Sequence, residues 1–347
     1  MAVRKSAVSM KDVAALAGVS VGTVSNVLNT PASVSDGTRE RVEAAISKLG
    51  WVRNESARQL RAGRSRSIGM VVMDIGNPFF TDLVSGAEDF VHPLGYTVQL
   101  GNSAQQVSRE AAHLELFEQH RVRGLLFAPI ADAGERVAQL RRRGIPAVVM
   151  DRAGDRADYC SVAVDDIEGG RLAVEHLIQQ GHRRIGFVGG PSGLQQVRDR
   201  RLGAQIATTN LPAVDGLLVI STPRLDAEGG AAAAEDLAAM ADQERPTAVF
   251  AANDLLAIGL LQGFVTHGLR VPDDIAIIGY DDIAFAAAAA VPLSSIRQPR
   301  HALGRRAAEL LFDEVGALDD DRDHEHQHVQ FVPELVARRS TWWASAP

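Results

Sequence analysis

Hydrophobic residues recur at helical spacing along the first fifty positions, in three short blocks separated by small and polar residues. Ser9-Met-Lys-Asp12 sets a hydroxyl three residues ahead of a carboxylate, the spacing of a capping box, and Val13, Leu16 and Ala17 follow at helical intervals. Gly18 suits the left-handed geometry that ends such a helix. Ser20 can cap a second helix with Val24, Val27 and Leu28 on its buried side. A third begins near Ser35 and buries Val42, Ala45, Ile46 and Leu49. This leaves Val21, Gly22, Thr23, Ser25 and Asn26 exposed at the start of the second helix. They are small and mostly polar, which lets a helix enter a DNA major groove with its backbone close to phosphate.

From Ser67 the period changes to apolar runs alternating with helical patterns. The reading is strand 67–73, helix 79–92, strand 96–100, helix 108–120, strand 124–128, helix 133–143 and strand 145–150. After Asp165 it restarts: helix 167–180, strand 184–188, helix 197–207, strand 217–220, helix 227–241, strand 247–251, helix 254–267 and strand 275–279. Alternation of this kind predicts an α/β body of doubly wound parallel sheets, and two rounds of it predict two lobes with a cleft between them. Polar or special residues stand at the strand ends: Asp74 and Asn77, Asp151-Arg152, Gly189-Gly-Pro191, Asn253-Asp254 and Tyr280-Asp281-Asp282. Ligands of open α/β sheets bind at those ends.

Charge separates head from body. Residues 1–66 hold eleven Lys/Arg against five Asp/Glu, a net of +6; the whole chain is −7, so the remainder carries −13. A basic head on an acidic body is the distribution expected of a protein that grips phosphate with one end. At 347 residues the chain is expected to form two or three domains. Its opening residues lack the apolar core of a secretory signal, and no window of 18 apolar residues exists, so the expected location is the cytoplasm, without membrane attachment. The single cysteine, Cys160, reads as a small buried apolar residue rather than a reactive thiol.

The run Lys11-Asp-Val-Ala-Ala-Leu-Ala-Gly-Val-Ser-Val-Gly-Thr-Val-Ser-Asn-Val-Leu-Asn29 resembles the DNA-binding head of the lactose-repressor/galactose-repressor (LacI/GalR) family. The similarity continues through Val34-Ser-Asp-Gly-Thr-Arg-Glu-Arg-Val-Glu-Ala-Ala and Leu49-Gly-Trp-Val-Arg-Asn54, with further matches to Arg338. It implies an all-α helix-turn-helix head (1–53), a hinge helix and linker (54–66) and a bilobed periplasmic-binding-protein-like body (67–347). The first lobe is expected at about 67–163 and 295–323, and the second at about 164–292 and 328–347, with crossings near 161–167, 289–297 and 322–330.

The resemblance also implies roles. Ser20, Val21, Gly22, Thr23, Ser25, Asn26 and Asn29 would face DNA, with Val21 suited to a thymine methyl and Asn26 to adenine or a phosphate. Residues 54–65 supply only about two helical turns, too few for a stable isolated helix. In the family such a hinge pairs with its dimer mate in the minor groove; Leu60 matches the wedging leucine and Ala57 permits close helix approach. In the cleft, Arg200 matches the arginine that holds effector, its guanidinium fork suited to vicinal hydroxyls or a carboxylate. Its neighbours Arg198 and Arg201 read as solvated or paired. Asp74, Phe79, Asp151, Asn253, Asp281 and Gln298 match further cleft positions. Leu225 replaces an aromatic found there in relatives, which points to a small sugar rather than a stacked purine.

The expectation is therefore a homodimeric repressor that binds a palindromic operator in double-stranded DNA under control of a small effector, a sugar, with a purine corepressor as the alternative. The rivals are a solute-binding transport component, opposed by the basic head, and a sugar-acting enzyme, opposed by the lack of a nucleophile or acid/base constellation. No cofactor or metal is expected. His324, His326 and His328 alternate as ligands on a strand would, but they follow Asp319-Asp-Asp-Arg-Asp323 and read as a solvated connection. No leucine heptad follows Trp342-Trp343, so a tetramer-forming tail is not expected.

Overall fold

The computed structural model describes residues 8–51, 65–154, 158–209 and 216–342. The chain divides into two compact units, Met1–Gly63 and Arg64–Pro347. The expected hinge residues Ala57 and Leu60 lie outside the described residues.

In the first unit, α1 (Met10–Ala17), α2 (Val21–Asn29) and α3 (Asp36–Leu49) surround Val13, Ala14, Ala17, Val24, Val27, Val42 and Ala45. The Asp12 carboxylate accepts from Ser9 N at 2.8 Å and from Ser9 Oγ at 2.7 Å. Gly18 ends α1 at φ 66°, and Ser20 Oγ caps α2 by accepting from Thr23 N at 3.0 Å. Leu16 departs from the expected apolar face and is 45% exposed. The buried stripe of α1 is centred on Met10, Val13, Ala14 and Ala17, roughly a third of a turn away from Leu16.

The second unit contains two six-stranded sheets. The first is ordered β11-β5-β4-β3-β1-β2, with β1 (Ser67–Val72), β2 (Thr97–Asn102), β3 (Leu125–Phe127), β4 (Ala147–Met150), β5 (Cys160–Val164) and β11 (His328–Phe331), all parallel. The second is ordered β12-β10-β9-β8-β6-β7, with β6 (Ile185–Gly189), β7 (Leu217–Ser221), β8 (Ala248–Ala251), β9 (Ala276–Asp281), β10 (Ser294–Arg297) and β12 (Glu334–Val336). Among the described residues only β12 runs antiparallel. The strand order reverses between β1 and β3 in one sheet and between β6 and β8 in the other, and such switch points open ligand crevices.

The crossings are themselves strands, which shifts the expected lobe limits. The first crossing leaves β5 after Val164. Residues 295–297, expected in the first lobe, pair in the second sheet as β10. Residues 328–331, expected in the second, pair with β5 of the first sheet as β11. Ser294-Ser-Ile-Arg297 and His328-Val-Gln-Phe331 lack continuous apolar runs, so their pairing is set by neighbours rather than by hydropathy. After β10 the helix α12 (Arg300–Asp319) packs on α4 (Pro78–Val91) in the first lobe. Gly304 permits this: a Cβ there would stand 1.8 Å from Leu83 O.

Candidate functional site

Where the two sheets' C-terminal ends meet, side chains from both lobes form one buried polar cluster. Arg200 lies on α8 (Gln195–Thr209), 3% exposed, in the middle of it. Its Nε donates to Asp166 Oδ1 at 2.8 Å and one terminal nitrogen donates to Ala252 O at 2.7 Å. The same nitrogen is 3.8 Å from Asp281 Oδ1, and the guanidinium carbon stands 3.7 Å from the centre of the Tyr280 ring. A buried guanidinium with carboxylates and an aromatic face around it is fixed in orientation.

Asp151 directly follows β4 and Asp281 ends β9, at φ 57° and 104°. Side chains adopt such backbone angles at a cost of about 1–3 kcal/mol, sustained where the surroundings hold them. Arg300 does so for Asp281: it donates to the carbonyls of Asp281 and Asp282 while its Nε pairs with Asp82 of the first lobe at 2.8 Å. Burial pushes the Asp151 carboxyl well above the usual carboxylate range, with the Asp166 charge adding and Arg200 opposing. Burial also raises Asp281, against Arg200 and the hydrogen bonds from Asn77 and Gln298.

The lobes are closed on one another. Asn77 Nδ2 of the first lobe donates to Asp281 Oδ2 at 3.2 Å, and Gln196 Nε2 of the second donates to Asp151 Oδ2 at 3.0 Å. Arg224 is 3.8 Å from Asp74 Oδ2, and Leu225 N donates to Gln105 Oε1 at 3.5 Å. A cavity of about 260 Å³ adjoins the cluster, lined by Asp151, Arg152, Asp166, Gln195, Gln196 and Asp199 among others.

The expected cleft residues separate into two groups. Asp151, Arg200, Asp281 and Gln298 come together: Gln298 Nε2 donates to Asp281 Oδ1 at 2.7 Å, and its Oε1 has no hydrogen-bond partner among the described residues. Asp74 is at the cleft rim, accepting from Gly76 N at 2.9 Å. Asn253 and Phe79 make their contacts outside this cluster. Asn253 caps α10 (Asp254–Thr266) by accepting from Leu256 N at 2.9 Å and donates to Leu225 O at 3.2 Å. Phe79 is 2% exposed, edge-on to the equally buried Phe80 at 4.9 Å, and both belong to the lobe core. Sequence reasoning missed Asp166, Gln196 and Arg300 as members of the cluster. Each sits in the first turn of a helix that starts beside the cleft, a position that hydropathy does not mark.

On the head, α2 presents Ser20, Val21, Gly22, Asn26 and Asn29 as exposed residues, with Thr23 and Ser25 half-buried. Val21 is 42% exposed, and a Cβ on Gly22 would meet nothing nearer than Ser20 Oγ at 3.6 Å. Asn29 Nδ2 donates to Ser25 Oγ at 3.1 Å. No helix of the described residues is long and apolar enough to cross a membrane.

Comparison with known proteins accords with both halves. Residues 9–54 match the profile "Bacterial regulatory proteins, lacI family", and residues 174–341 match "Periplasmic binding protein-like domain". The HTH-type transcriptional repressor PurR of Photobacterium profundum is 35% identical over 341 residues, covering 96% of this chain and 98% of that protein. Among solved structures, the lac repressor dimer bound to operator and the anti-inducer ONPF superposes with a TM-score of 0.80 at 28% identity, covering 96% of this chain and 99% of that one. A LacI family transcriptional regulator from Enterococcus faecium with bound ribose gives 0.70 at 30% identity, covering 79% and 98%.

Proposed function

The chain belongs to the lacI family of bacterial regulatory proteins and is a DNA-binding transcriptional repressor, and from that premise we propose how its cleft controls the head. A homodimer places two α2 helices in adjacent major grooves of a palindromic operator, with Val21 and Asn26 reading bases. Ser20, Gly22, Thr23, Ser25 and Asn29 orient the helix on phosphates. Residues 54–66 fold as paired hinge helices on DNA, with Ala57 at their crossing and Leu60 as the wedge. A small ligand in the cleft changes the balance between closed and open lobes and thereby the spacing of the two hinges. Coupling of this kind is about 1–3 kcal/mol. Nothing in this reading calls for turnover of the ligand.

The observation that carries the reading is the bond between Asn77 and Asp281 beside Arg200, which joins the lobes through the same carboxylate that a ligand would meet. Asp151, Asp166 and Asp281 crowd around Arg200, with Arg152 and Arg300 beside them, and this dense set of hydrogen-bonding groups suits hydroxyls. The ligand is accordingly a hydroxyl-rich sugar. The ribose bound to the Enterococcus faecium relative supports it. The relatives named PurR support a second reading, a purine acting as corepressor. A thermal-shift panel of free sugars, sugar phosphates and purines, followed by operator binding with each hit, separates the two. A purine hit that tightens operator binding would replace the sugar. A protein with no preference for any palindrome over random DNA, under every ligand, would end the whole proposal.

A further inference from the structure

Far from the cleft, at the opposite end of the first sheet, four metal-ligating side chains converge from separate parts of the chain. Cys160 opens β5, Glu314 lies on α12, and His324 and His326 belong to the connection that leads into β11. One ligand atom from each lies within 4.8 Å of all the others. Cys160 Sγ is 3.2 Å from His324 Nε2 and 3.6 Å from His326 Nδ1. A tetrahedral zinc ion holds sulfur at about 2.3 Å and nitrogen at about 2.0–2.1 Å, which sets those two donors about 3.6 Å apart. The two imidazoles meet at 75° with centroids 5.0 Å apart, converging from different directions as tetrahedral ligands do.

Hydrogen bonding alone leaves this cluster unsatisfied. Two imidazole nitrogens crowd one sulfur that already accepts from Gln327 N at 3.4 Å. Glu314 is 5% exposed; one carboxylate oxygen is 3.2 Å from Arg141 Nε, and Oε2 has no hydrogen-bond partner among the described residues. A buried carboxylate oxygen without a donor, facing a thiol and two imidazoles, is an arrangement that a cation completes. We propose that Cys160, Glu314, His324 and His326 bind a zinc ion that staples the third crossing to the first lobe. One thiolate, one carboxylate and two neutral imidazoles balance the charge of a divalent ion. This soft-to-borderline set selects zinc over magnesium or calcium. All four positions are filled by protein, so the site is structural, and Arg141 orients Glu314 from outside. His328 is not a ligand: its Nδ1 is engaged at 2.7 Å by Ser161 Oγ. The earlier reading of all three histidines as a solvated connection is revised for two of them.

The test uses untagged full-length protein stripped with a chelator and titrated with Co²⁺ alone. We expect one equivalent to produce the visible bands of tetrahedral cobalt together with thiolate-to-cobalt charge transfer, and Zn²⁺ to bleach both. C160S abolishes the charge transfer. H326A, altered at a half-buried ring, weakens cobalt binding by more than about 100-fold, beyond what loss of an outer-shell partner does. H328A leaves it unchanged. Zn²⁺ raises the melting temperature of the wild type and not of H326A. Absence of charge transfer in the wild type, octahedral cobalt spectra, or bands that persist in folded H326A would overturn the site.

Discussion

Replacing Arg200 with alanine tests whether the cleft arginine is a ligand hook alone or also the keystone of the polar cluster. The side chain makes a charge-assisted bond to Asp166, a bond to Ala252 O and a stacking contact on Tyr280, at 3% exposure. Removing one partner of a buried ion pair costs about 3–5 kcal/mol, because the remaining carboxylates stay desolvated without a countercharge. That corresponds to a fall in melting temperature of about 5–8 °C for a unit of this size. The deficit also depends on pH. Arg200 opposes the burial that raises Asp151 and Asp281, so in the variant both carboxyls rise further in the folded state. A carboxyl raised on folding stabilises the fold below its unfolded pKa and loses that contribution as pH rises through its folded pKa. The R200A deficit should therefore be larger at pH 8 than at pH 5. Chemical denaturation of wild type, R200A and R198A at both pH values measures it; Arg198 is exposed and donates to the Ser192 and Gly193 carbonyls, so R198A should stay within about 1 kcal/mol. A loss in R200A below about 1 kcal/mol, equal at both pH values, would refute the keystone role.

Asn77→Asp keeps the helix cap but sets a carboxylate against Asp281; small-angle scattering should show a larger radius of gyration for the body, and an unchanged radius would remove this bond from the closure. Gly304→Ala forces a Cβ against Leu83 O and should cost about 1–3 kcal/mol by parting α12 from α4, read from urea midpoints. His182 is buried and its pKa is pushed down to about 4, so its neutral form supports the fold above the unfolded value near 6.5 and that support is lost as pH falls toward 4. H182N should flatten the pH dependence of stability between pH 7 and 5, by at most about 3 kcal/mol. Leu60→Ala should weaken operator binding far more than binding to random DNA; equal losses in a salt-matched gel-shift assay would remove the wedge.

The head was almost wholly legible, because caps and turns are local. Ser9, Asp12, Gly18 and Ser20 act within four residues of themselves, and the structure places them as the spacing predicts. The alternating body was legible for the same reason, since buried parallel strands are continuous apolar runs. The cleft was legible where a residue ends or follows a strand, as Asp281, Asp151 and Gln298 do, and at Arg200, which the family resemblance marked. For Asn253 the sequence leaves open which bond is made, because a helix cap and a ligand donor use the same side chain; the structure shows the cap.

Local patterning by itself therefore determined a basic three-helix head, a two-lobed α/β body and the polar residues at the strand ends that face the cleft. Tertiary structure alone decided three things. It assigned β10 and β11 to opposite sheets from those expected, it tied Asn77 to Asp281 across 204 positions, and it brought His324 within 3.2 Å of Cys160 across 164. The reason is one of range. Hydrophobic periodicity records what a segment does with its own neighbours, whereas buried polar pairs form between segments that meet only after the sheets have closed.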